Sequence, residues 1–219
     1  KRSSMKAPLI ATELRTHAPF TAFGTVTGIV IMAAFMQFRI PREISSTLFW
    51  TMHPLHVLLS ALVTTAMYRL HSGRGIWQTV LIGYFGSVGI ATLSDSLIPF
   101  AGEWMLDLPY RGIHLGFIEK WWLVNPLALA GIALGYVISH TKISHAGHVL
   151  LSTWASLSHI IMAMGTSISV VTMILIAVFL FLAVWVPCCT SDIVFPLLWI
   201  KKESGNGEPT ISITDGGIT

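Results

Sequence analysis

Charge is what this sequence has least of: Asp, Glu, Lys and Arg together make up 11% of its 219 residues. A soluble domain carries about 25% charged residues, so a conventional water-facing surface is excluded for most of the chain. Cysteine is nearly absent, and Cys188 and Cys189 are neighbours, which excludes a disulfide framework. The HExxH and GxSxG signatures are missing, as is any internal repeat of the kind that builds inverted-repeat transporters. No cleavable signal is expected, because Lys1–Arg15 is polar and basic and the first apolar run is long enough to span. The net charge of +3 sits in short junctions and at the ends of the chain, which argues against a nucleic-acid partner.

What the sequence does have is apolar length. Hydrophobic residues make up 53% of it, and the mean hydropathy is +0.72. Runs at Pro19–Phe38, Thr47–Arg69, Ile76–Ser94, Trp122–Ser139, Gly147–Gly165 and Ile168–Pro187 each approach the ~20 residues that cross a bilayer. The expectation is an all-α, polytopic integral membrane protein: a bundle of six transmembrane helices forming a single domain over residues 1–200. A flexible cytoplasmic tail, residues 201–219, follows it. Its location would be multi-pass in a membrane, the inner one in a prokaryote, with the lipid bilayer as first partner.

Orientation follows from Lys and Arg. With the N-terminus inside, the inner segments hold Lys1, Arg2, Lys6, Arg15, Arg69, Arg74, Lys142, Lys201 and Lys202, and the outer ones only Arg39, Arg42, Arg111 and Lys120. This distribution gives N-in and C-in, with a 26-residue outer loop from Asp95 to Lys120 between spans 3 and 4, long enough to fold back as a lid. Gly24-xxx-Gly28, Gly131-xxx-Gly135 and the ladder Gly83, Ser87, Ala91 read as close packing inside one bundle, with a homo-oligomer contact as the alternative.

Two helices carry a polar ridge. His53, His56, Ser60, Thr64 and His71 fall at offsets 0, 3, 7, 11 and 18, and His145, His148, Ser152, Ser156 and His159 at 0, 3, 7, 11 and 14. At 3.6 residues per turn each set stays within an arc of about 80°. Ionisable side chains at membrane depth are costly and face a bundle interior or a water-filled cavity. The ridges therefore point to a site or a pathway, against the plainer reading of hydroxyls bonded to their own helix and histidines at the interface.

By predicted depth the ligand-type residues fall into two sets. His53, His56, Asp95, His114, Glu119 and His159 form the outer one, suited to a divalent transition metal (Zn, Fe, Mn, Co or Ni), with His56, Asp95 and His159 as expected core ligands. His145, His148, Cys188, Cys189 and Asp192 form a candidate second, inner site. Asp192 is a carboxylate bounded by apolar runs and needs a partner.

Three functions fit these residues. A metal-cation transporter accounts for two ligand sets joined by polar ridges, with imidazole protonation releasing the ion. An intramembrane metal-dependent enzyme of hydrolase type would need only one set, with Glu119 as general base. A bis-histidine dihaem carrier would use the spacings His145 to His159 and His56 to His71, leaving the carboxylates without a role. A structural subunit of a larger membrane complex is the fourth alternative.

Overall fold

The structure, a computed structural model, describes residues 6–71, 75–138, 142–164, 169–189 and 195. Among them every regular element is helical and no strand occurs. The elements are α1 (Lys6–Gln37), α2 (Arg42–His71), α3 (Ile76–Thr92), a π turn (Leu93–Leu97), α4 (Ile98–Met105), α5 (Gly116–Glu119), α6 (Trp121–Val137), α7 (Lys142–Ala163) and α8 (Val170–Cys189). The tail 201–219 and Asp192 lie outside the described residues, as do the side chains of His71, His145 and Cys189.

Four helical stretches are long and apolar enough to cross a membrane: Ala18–Gln37, Arg42–Leu70, Ile76–Met105 and Val170–Cys188. A shorter apolar helix spans Trp121–Val137. The third stretch corrects an expectation. The chain does not leave the helix at Asp95; it continues through the π turn into α4, and although Pro99 lacks an N–H, the Ser94 carbonyl one turn back accepts the Ser156 hydroxyl at 2.9 Å. The connection to α6 shrinks accordingly, to residues 106–120, with α5 inside it.

Polar and apolar residues are distributed inside out. Phe23, Val26, Val30, Trp77, Leu81, Phe85, Val137, Val170, Ile174 and Val178 are exposed, while His53, His56, Asp95, Glu103, His148 and His159 are at most 1% exposed. Such a surface suits lipid tails, and the interior suits a polar site.

Helix α2 is the central post, packed on α3, α6 and α7, and α1 packs on α7 and α8. It runs unbroken through Pro54 despite the missing N–H. Gly131 and Gly135 on α6 lie against the Leu58 and Leu62 carbonyl oxygens of α2, so a Cβ at either position would collide with backbone. Gly24 and Gly28 on α1 lie against the side chains of Thr153 and Leu157 of α7, where a Cβ would make tight contacts of 3.0 Å. The small-residue spacings thus serve packing within one chain. Gly131→Ala and Gly135→Ala are each expected to lower stability by roughly 1–3 kcal/mol, because the colliding atom is backbone and cannot rotate away. Gly89→Ala, whose Cβ would meet nothing within 4 Å, is the control that should lose nothing. Thermal unfolding of the solubilised protein measures all three.

Candidate metal centre

The two polar ridges face each other. His56 of α2 stacks on His148 of α7 (ring centroids 5.8 Å apart, interplanar angle 13°), and Phe49 meets His159 edge-on at 5.2 Å. Leu59 reaches Gly147 between those contacts and the α7 N-terminus, so α2 and α7 run antiparallel. Ser60, Thr64, Ser152 and Ser156 are buried along the same seam.

Asp95 lies at the centre. The π turn directs Ser94, Asp95 and Ser96 inward together, all fully buried, because a wider turn brings consecutive side chains closer in direction than an α turn does. One carboxylate oxygen of Asp95 faces the Nδ1 atoms of His53 and His56 at 2.9 and 2.7 Å. The other accepts the hydroxyls of Ser94 and Ser152 at 2.7 and 2.8 Å. A carboxylate has about four acceptor sites, so Asp95 is saturated. An ionised carboxylate only accepts, so both imidazoles donate from Nδ1, and in the neutral form of each ring Nε2 is the atom with a lone pair.

Both Nε2 atoms are buried without a hydrogen-bond partner. That of His53 lies under Gly116, where a Cβ would overlap the ring. That of His56 is the atom left to bind an ion in a buried set formed by His56, His148 and Cys188, whose ligand atoms lie within 4.8 Å of one another. Donors at about 2.0–2.3 Å from one ion sit roughly 3.3–3.7 Å apart, so the three would close slightly around an ion and leave a fourth tetrahedral position open. Cys188 Sγ also lies 3.6 Å from Ser152 Oγ, which ties α8 to the Asp95 cluster. Asp95, His56 and an ion would form the carboxylate–histidine–metal arrangement that fixes ring orientation and raises ligand basicity.

The expected two levels of ligands therefore merge differently. His56 of the outer set joins His148 and Cys188 of the inner one, because the α7 register brings His148 beside the middle of α2. Asp95 supports His53 and His56 and has no lone pair left over for an ion. His159 pairs with Glu103 (Nδ1 to Oε1, 2.6 Å), with Ser96 Oγ 3.5 Å from its Nε2, and takes no place beside His56. His114 pairs with Glu119 at 3.2 Å, both partly exposed. Phe49 separates the two groups, stacked on His53 on one side and touching His159 and His114 on the other.

Glu103, Ser94 and Ser96 were not among the expected site residues. A signal for Glu103 was present: a lone carboxylate inside the apolar run Ile98–Met105, the pattern that singles out Asp192. The segment 106–115 packs against the helices. Leu108 is buried, the Tyr110 N–H donates to the Ala163 carbonyl, Gly112 N–H to Glu103, and His114 N–H to Ser96 Oγ.

Charge balance sharpens the chemistry. Among the described residues no lysine or arginine pairs with Asp95 or Glu103. A buried carboxylate without a fixed cation is costly; Asp95 offsets that cost with four hydrogen-bond donors, whereas Glu103 has, among the described residues, only His159 Nδ1 and the Gly112 N–H. Of the four histidines in the haem spacings, His56 stacks on His148 at 5.8 Å and His159 is held by Glu103, while the side chains of His71 and His145 lie outside the described residues. No protein family, curated protein or solved structure matches this chain.

Proposed function

We propose that this chain is a six-span integral membrane protein, N-in and C-in, that binds a divalent transition-metal ion at His56, His148 and Cys188 and moves it across the bilayer. The observation that carries this reading is the buried donor set, with His56 held through Nδ1 by Asp95 and, among the described residues, no lysine or arginine paired with Asp95. Two imidazoles and a thiolate suit Zn²⁺ or Co²⁺ better than Mn²⁺, which prefers oxygen. α6 and α7 supply the two crossings beyond the four stretches that qualify by length and composition.

Movement is supported by the seam beyond the centre. Ser60 and Thr64 continue along α2 from His56, and the Thr64 hydroxyl is buried with no hydrogen-bond partner. A hydroxyl unpaired in a dry helix interface is disfavoured; water or a passing hydrated ion would satisfy it. At the other end, His114 and Glu119 are accessible enough to meet solvent.

A second reading, an intramembrane metalloenzyme, draws on the same three donors, which leave a fourth position open as in catalytic zinc sites. Zinc flux into proteoliposomes separates the two. The transporter reading expects uptake by the wild-type protein and its loss in His56→Ala. Retained zinc with no flux would favour the enzyme.

A further inference from the structure

A second buried ionisable group lies apart from the metal centre, and the proposed transport gives it no task. Glu103 on α4 and His159 on α7 are 0% and 1% exposed and 2.6 Å apart. His159 is 11 residues from His148 on the same helix, about 16 Å along its axis, and Phe49 lies between its ring and that of His53.

The surroundings of the pair determine what it can hold. Ser96 of the π turn lies at His159 Nε2, and the Gly112 N–H donates to the second Glu103 oxygen at 3.3 Å. The ionisable groups facing it are His114, whose ring lies 5.2 Å from that of His159, and Glu119 behind His114. Asp95 is one residue from Ser96 but is saturated by its own four donors. α2 presents Phe49 here, with His53 on its far side. Arg111 beside Gly112 is engaged with Asp107 at 3.2 Å. α1 and α8 add apolar side chains, Met32, Ile176, Phe179 and Leu180, to the core around Ile160 and Leu108.

We propose that Glu103 and His159 form a proton-binding site whose proton is exchanged for the metal ion bound at His56, His148 and Cys188. This inference rests on the metal reading above. A carboxylate with a neutral imidazole carries one buried negative charge, with no lysine or arginine among the described residues paired to offset it, so the pair holds one proton shared along its hydrogen bond. Among the described residues no third His, Cys, Asp or Glu joins these two in a metal-holding group, so the cation the pair suits is a proton. When a divalent ion arrives elsewhere in the same low-dielectric core, its charge replaces that of the proton, which leaves through Ser96 or His114 towards Glu119. The balance is one proton lost from the pair as the ion binds, with no redox change.

The test is zinc binding to the full-length solubilised protein, with the association constant measured as a function of pH. Metal binding displaces protons from its ligands and linked groups. Between pH 6.5 and 7.5 the logarithm of the constant should rise by about two per pH unit in the wild type, one proton from Cys188 and one from the pair, and by about one in Glu103→Gln. The double variant Glu103→Gln with His159→Asn keeps an amide hydrogen bond there and should match the single variant; it replaces that variant if the glutamine alone does not fold. An unchanged slope in both overturns the proton site. So does loss of zinc from a folded Glu103→Gln protein, because Glu103 would then be a ligand. A wild type that binds no zinc overturns the metal reading itself.

Discussion

Replacing Asp95 with asparagine is expected to weaken metal binding by roughly 10–100-fold while leaving the bundle folded; alanine should damage both. The difference comes from counting donors. In the native protein four hydrogen-bond donors converge on one carboxylate: His53, His56, Ser94 and Ser152. Asparagine keeps a carbonyl oxygen for the two imidazoles, and its amide can donate to the serine hydroxyls, which rotate to accept. What it loses is the charge that raises the basicity of His56. Alanine removes every acceptor at once. The serines can turn to helix carbonyls, as Ser94 already does at 3.4 Å to Ala91. The two Nδ1–H groups, fully buried, have no such escape. Breaking a buried pair in this way costs about 3–5 kcal/mol, a large share of the 5–15 kcal/mol that holds a typical domain together. Zinc content and thermal unfolding, measured side by side on both variants, check this. Equal metal content in Asp95→Asn and wild type would contradict it.

The second large effect concerns the ligands. Cys188→Ser should reduce zinc affinity on the order of a hundredfold, roughly 2.7 kcal/mol, because a serine hydroxyl stays protonated and is a poor, hard donor for a borderline ion. Its packing should survive: the side chain is nearly the same size and can bond to Ser152, which already lies 3.6 Å from the sulfur. His148→Ala should lose the ion altogether and leave a hole beside the His56 ring. Added zinc should raise the melting temperature of the wild type and leave that of His148→Ala unchanged, since only a protein that binds the ion gains stability from it.

How much of this was legible in the sequence differs from residue to residue. The two ridges were legible because helical periodicity is local, and both prove to be buried seams where they are described: His53, His56, Ser60 and Thr64 on α2, His148, Ser152, Ser156 and His159 on α7. That the ridges face one another follows from the cost of exposing histidine to lipid. Their register does not. Depth counted along ideal helices placed His148 near the inner surface and His56 near the outer one, yet Leu59 lies beside Gly147 and the two imidazoles stack. Register is set by which side chains interlock, and Gly131 and Gly135 against the α2 carbonyls show how finely that is decided.

The partners of Glu103 were hidden for a different reason. Pro99 marks the place where a span would stop, and the chain continues only because the π turn before it redirects the helix. Without that continuation Glu103 belongs to a solvated loop; with it, the carboxylate is carried into the core beside His159. A five-residue π turn has no sequence signature comparable to a cap or a heptad.

One measurement addresses the central claim, that imidazole and thiolate from three helices hold a metal ion inside the bundle: zinc X-ray absorption of the purified, full-length protein. The proposed metal site predicts one tightly held zinc per chain with nitrogen neighbours at about 2.0–2.1 Å and a single sulfur at about 2.3 Å, the sulfur shell vanishing in Cys188→Ser. A zinc shell of oxygen and nitrogen alone, identical in wild type and Cys188→Ser, would contradict it.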